Sequence, residues 1–122
     1  MTEILISNFE RSSCPVANML DLFGDKWTLL IIRDLILGKN RYGEFAQSVE
    51  RIPTNILADR LKRLEMAGII VKTAYCDKPL RYDYQLTEKG KDLQPILEAM
   101  VAWAGKYIPG SEVFPQYRKI GL

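Results

Sequence analysis

At 122 residues, with 48% hydrophobic and 26% charged residues, the chain can build one compact domain with a core and has no room for two. Its formal net charge of +2 is too small to point to nucleic acid by itself, but the charge is uneven. Between Arg33 and Lys91 there are 12 Lys+Arg against 8 Asp+Glu, leaving 5 against 7 for the two ends.

Two cysteines, Cys14 and Cys76, are too few for a disulfide framework. The lack of any His removes both a tetrahedral Cys/His metal site and the usual base for a Ser or Cys nucleophile, so neither a metal nor a cofactor is expected. No apolar run approaches the roughly 20 residues of a membrane span, and the N-terminus lacks a signal-peptide pattern. The expected location is the cytoplasm, with no membrane partner.

Residues 1–13 carry a brief apolar patch at Ile4, Leu5 and Ile6 and then polar residues, which predicts an arm. Ser13-Cys14-Pro15 reads as a helix start, because a proline at the first helical position has no amide to waste, and Val16, Met19, Leu20 and Phe23 form an apolar stripe ending at Gly24. Asp25 then caps a second helix, apolar nearly all round from Trp27 to Leu37 and closed at Gly38, expected to be the central core helix. A short third helix follows Arg41, with Tyr42, Phe45, Ala46 and Val49 on its apolar side.

After the break at Ile52-Pro53, Thr54 is expected to cap a fourth helix through Met66 and Ala67, with Gly68 as its left-handed C-terminal cap. Leu57, Leu61 and Leu64 face the core, while Asn55, Asp59, Lys62 and Arg63 cluster on the other side. Ile69 to Tyr75 and Tyr82 to Leu86 read as two strands joined by the polar turn Asp77-Lys78-Pro79-Leu80-Arg81. Thr87 caps a long last helix over 87–108, bent at Pro95 and carrying Leu93, Ile96, Leu97, Met100, Val101, Ala104 and Tyr107 at helical spacing. Residues 109–122 read as a tail. The fold class expected is α+β, mainly α: a single domain with a winged helix-turn-helix over 42–86 and a long last helix.

A helix presented after a tight turn, polar and cationic outward, fits the B-DNA major groove, about 12 Å wide. Asn55 and Arg63 suit base edges, Thr54, Lys62 and the first amides suit phosphate oxygens, and Arg60, nearer the apolar side, either braces the fold or reaches phosphate. Asp59 shares the outward face. Lys78 and Arg81 would lie along the neighbouring backbone or minor groove, and Arg41 adds a further phosphate contact. Taken alone, such a face serves solvent as readily as a partner. The order of helix, Pro-containing turn, helix and basic-tipped hairpin is what favours DNA.

Cys14-Pro15-Val16, the block Gly24 to Ile31, Arg41-Tyr42-Gly43-Glu44-Phe45, the block Leu57 to Glu65 and Tyr84-Gln85-Leu86-Thr87-Glu88-Lys89-Gly90 together resemble the HxlR family of winged helix-turn-helix transcriptional regulators, related to the MarR group. The likeness runs nearly continuously from Cys14 to about Trp103. It implies a homodimer built through terminal helices, a recognition helix at Thr54 to Met66 and a wing at Ile70 to Leu86. It also implies a pseudo-palindromic double-stranded operator. One departure is the turn Arg51-Ile52-Pro53-Thr54, where the family often has a Gly-Ile-Ser type of sequence.

Some members of that family sense oxidants or electrophiles through a cysteine placed like Cys14, and a thiol at a helix N-terminus is an apt place for such chemistry. The other reading of Cys14 is a small residue packed in a dimer seam. Trp27 and Trp103 are expected in the core, with lining of a ligand pocket as the other reading. The function expected is a sequence-specific dimeric DNA-binding regulator, not an enzyme, responsive to a thiol-reactive or small-molecule signal. The alternative is a winged-helix protein-interaction module that binds no DNA.

Overall fold

The structure, a computed structural model, describes residues 11–112; most of the expected arm and tail, residues 1–10 and 113–122, lie outside the described residues. The element order is α1 (Pro15–Phe23), α2 (Thr28–Ile36), α3 (Tyr42–Ala46), α4 (Thr54–Met66), β1 (Ile70–Asp77), β2 (Leu80–Leu86), α5 (Glu88–Lys91) and α6 (Gln94–Tyr107). This is a mainly helical α+β winged helix-turn-helix, with α3 and α4 as the helix pair and the β1–β2 hairpin as the wing. Among the described residues, no helix is long and apolar enough to cross a membrane.

Local chemistry sets most boundaries where the sequence places them. Asp25 closes the start of α2 by accepting from the amides of Trp27 and Thr28, each at 3.1 Å. Gly38 and Gly68 take φ of +99° and +77° just past α2 and α4, the left-handed conformation that a glycine adopts without a Cβ penalty. Ile31, Ile32 and Leu35 of α2 are buried against Phe45, Leu57, Leu61 and Leu64, which makes α2 the centre of the core. The strands pair antiparallel from Ile70 opposite Leu86 to Asp77 opposite Leu80.

Val49 lies past the end of α3 and is 80% exposed, so it is no part of that helix's apolar side, and three further expectations change. Thr54 does not cap α4: Pro53 holds the N-cap position without a side-chain bond, and Thr54 is the first helical residue, with its carbonyl accepting from the Tyr42 hydroxyl at 2.8 Å. The long last helix is two helices. Thr87 caps only the short α5, its hydroxyl accepting from the Gly90 amide, and the chain turns at Asp92-Leu93 before α6 begins. Pro95 therefore opens α6 in its first turn, where a missing amide costs nothing, instead of bending a continuous helix. At Gly90 a Cβ would lie 2.4 Å from the Ile69 carbonyl oxygen, so α5 packs directly against the chain that enters the wing.

The third change concerns the aromatic and apolar stripes. Trp27 is half-buried against the core, but Trp103 is 60% exposed. On α6, Ile96, Met100, Trp103 and Tyr107 form an exposed row at spacings of four, three and four residues, and Val16 and Leu20 are likewise exposed on α1. Leu97 is the α6 residue that reaches the core.

Candidate nucleic-acid interface

The α3–α4 turn is held from beneath by a charge network centred on a fully buried carboxylate. Asp34, on α2, accepts from the Ser48 hydroxyl and from Arg33 Nε and one of its terminal nitrogens, at 3.1 and 2.9 Å. Lys39 Nζ donates to Ser48 Oγ at 3.0 Å, and Arg33 also grips both oxygens of Glu50 at 2.7 and 2.8 Å. The Arg33 hydrogen bonds are the largest influence on Glu50 and hold its carboxyl below the ordinary range. A buried carboxylate needs such partners, and here they come from α2 itself, through Arg33, and from the turn, through Ser48.

Arg51, in that turn, takes φ +54°, a conformation glycine adopts freely, at the point where the sequence departs from the Gly-Ile-Ser type of turn. Ile52, 3% exposed, anchors the turn in the core.

Above this support, α4 buries Leu57, Leu61 and Leu64 and leaves Thr54, Asn55, Asp59 and Lys62 exposed on one face. Arg63 is half-buried beside that face. Arg60 points elsewhere: its Nε donates to Asp25 Oδ2 at 3.0 Å, and a terminal nitrogen binds Asp59. The Asp25 bond is the main reason the Arg60 guanidinium holds its proton more firmly than usual. Of the two roles read from the sequence for Arg60, the contacts match the brace.

Lys78 sits at the wing tip and Arg81 is the second residue of β2, both exposed. Among the described residues, Lys62, Arg63, Lys78 and Arg81 form no ion pair with a carboxylate, so their charges are uncommitted. Arg41 is exposed but engaged, donating from Nε to Asp83 Oδ1 at 2.9 Å with its guanidinium over the Tyr75 ring. Cys14 holds the N-cap of α1, exposed and unpaired in a disulfide. Its sulfur forms no full cap hydrogen bond, yet the backbone amides of Ala17 and then Val16 draw its pKa below the ordinary thiol value.

The sequence reading missed the Asp34–Ser48 support, although a charged Arg33-Asp34 pair inside an apolar run was a visible signal for a buried network. An apolar cleft of about 430 Å³ lies between α2 and α6, lined by Leu29, Leu30, Leu97, Met100 and Val101. Neither Trp27 nor Trp103 lines it.

The HxlR-like helix-turn-helix family model matches residues 22–112. The chain belongs to this family. The HTH-type transcriptional regulator sll1512 of Synechocystis is 38% identical over 71% of the chain and 64% of its own length. The Mycobacterium bovis HTH-type transcriptional regulator Mb3122 is 36% identical over 88% of the chain and 66% of its own length, so the chain spans a little under two thirds of each of these relatives. The reduced form of the transcriptional regulator YodB from Bacillus subtilis superposes with a TM-score of 0.66 at 33% identity, covering 83% of this chain and all of that one. The redox regulator HypR in its reduced form gives 0.70 at 34% identity, covering 76% of this chain and 92% of that one.

Proposed function

We propose that the chain is a cytoplasmic, non-catalytic transcriptional regulator that binds double-stranded DNA as a homodimer and reads a pseudo-palindromic operator. The observation that carries this reading is the pairing of an exposed polar and cationic face on α4 with a wing bearing Lys78 and Arg81, their charges uncommitted, in a helix-turn-helix family of transcriptional regulators. Asn55 and Arg63 would meet base edges, and Thr54, Lys62, Lys78 and Arg81 would meet phosphates. Asp59 and Arg60 would shape the face, with Arg60 acting as a brace.

The exposed row on α6 and the exposed Val16 and Leu20 on α1 support a second copy as the partner, since a monomer gains nothing by leaving such side chains in water. A two-fold dimer would place two α4 helices about one helical turn of DNA apart. Cys14 supports a thiol-reactive signal, because its exposure and lowered pKa favour the nucleophilic thiolate, and the structural relatives include HypR, described as a redox regulator.

Footprinting on the chain's own upstream DNA tests the reading. Two protected half-sites centred about 10 base pairs apart are expected. Protection without symmetry would remove the dimeric operator, and absence of protection at low salt would remove DNA binding.

A further inference from the structure

The wing is fastened to the helical body beside α3. Asn40 and Arg41 run antiparallel to β2: Arg41 bridges Asp83, and the Tyr84 amide donates to the Asn40 carbonyl at 2.7 Å. The loop thus acts as a third, very short strand of the wing. Tyr84 continues the connection inward, with its ring edge-on to the fully buried Phe45 at a centroid distance of 6.1 Å.

Arg41 closes the same junction from outside. Its Nε donates to Asp83 Oδ1 at 2.9 Å, and its guanidinium carbon lies 3.7 Å from the Tyr75 ring centroid. Tyr75 stands where the hairpin register slips, since Ala74 pairs with Tyr82 and Cys76 pairs with Arg81, leaving Tyr75 as an extra residue in β1. Such a bulge re-aims a side chain, and here it accompanies a tyrosine seated under the arginine. One carboxylate and one aromatic face therefore occupy a guanidinium that the sequence alone suggests is free for phosphate.

We propose that Arg41 is a positioning residue, a latch that sets the angle of the wing to α3 and α4 through Asp83 and Tyr75, and not a phosphate ligand. The proposal rests on the DNA-binding reading above. An arginine already paired with Asp83 presents a phosphate with little net charge, whereas the uncommitted Lys78 and Arg81 lie farther out on the same wing. The wing can place those two cations on the DNA backbone only while its base is held.

The test is a double-mutant cycle with Arg41→Ala, Asp83→Ala and the pair, read as duplex affinity across a range of salt and, in the free protein, as hydrogen exchange at the Tyr84 amide. The latch predicts that both single variants weaken binding by about three- to tenfold and that the pair is no worse than either. It also predicts an unchanged slope of log affinity on log salt and faster Tyr84 exchange in each single variant. A phosphate contact predicts instead that Asp83→Ala tightens binding, because a negative charge is removed, and that Arg41→Ala flattens the slope by about 0.9. Either of these results, or unchanged Tyr84 exchange, overturns the latch. If the wild type binds no duplex, the DNA reading fails, and faster exchange in both variants still supports the latch.

Discussion

Arg60 of α4 and Asp25 at the start of α2 are joined by a 3.0 Å bond from Nε to Oδ2, so the helix that would face DNA is pinned to the core helix by the residue that caps that core helix. Partial burial pushes the Asp25 carboxyl up, but hydrogen bonds from Thr28, Arg60 and the Trp27 amide outweigh it and hold the group at about 2, against an ordinary 3.8. A depressed folded-state value means the unfolded chain takes up the proton first as pH falls. The Asp25 contribution is therefore fully present above about pH 4 to 5 and is lost as pH drops through 3.8 toward 2. Thermal unfolding of wild type and Asp25→Asn should differ most at pH 5 and above and converge near pH 2; a constant difference across that window would contradict the assignment.

Ser48 and Asp34 make a second such pair, buried at 2% and 0% exposure. Ser48→Ala keeps the volume nearly intact but leaves a buried carboxylate one donor short, which should cost about 1–3 kcal/mol in urea unfolding. Ser48→Thr, which retains the hydroxyl, should recover part of that loss. A change below about 0.5 kcal/mol for Ser48→Ala would show that the network does not hold the α3–α4 turn.

The apolar row on α6 makes a prediction about assembly. Trp103 is 60% exposed and pairs mainly with Tyr107, its ring centroid 5.3 Å away. Trp103→Glu should leave monomer folding within about 0.5 kcal/mol of wild type, because the site is in solvent. In sedimentation equilibrium, wild type should weigh two chains and the variant one. A wild-type monomer, or a Trp103→Glu dimer of undiminished strength, would place the homodimer contact elsewhere or remove it.

Cys14 should react with iodoacetamide at a midpoint pH below that of a cysteine peptide measured alongside, since the Ala17 and Val16 amides lower its pKa. Diamide should then change duplex binding by wild type and leave Cys14→Ser unchanged. Equal midpoints, or an equal diamide response in the variant, would remove the thiol switch.

Local signals were legible in the sequence wherever one residue type decides one piece of backbone. Asp25 as a cap, Gly38 and Gly68 at positive φ, and the 57/61/64 stripe all fall where the sequence puts them. The last helix was misread because Leu93 and Leu97 both reach the core, so the helical spacing runs across the break between α5 and α6. Gly90 and Pro95, only five residues apart, were the contrary signal. Arg41 was legible as a cation but not as an engaged one, since its carboxylate stands 42 residues away in the chain, whereas the position of Arg60 near the apolar side already allowed a brace without naming Asp25, 35 residues away. Trp103 shows the same difficulty from the apolar side: helical spacing marks a face to be covered and does not say which molecule covers it.

Whether α4 and the wing together bind DNA is tested most directly by fluorescence anisotropy of a labelled upstream duplex titrated with wild type and Lys78→Ala from about 50 to 200 mM salt, beside a scrambled duplex. A DNA-binding α4 and wing predict tighter binding to the upstream duplex and a steep linear fall of log affinity with log salt. Lys78→Ala should weaken both duplexes alike and reduce the slope by about 0.9. Affinity that ignores salt and sequence, or no duplex binding at about 50 mM salt, would contradict DNA binding by α4 and the wing and favour a protein partner for the exposed face of α4.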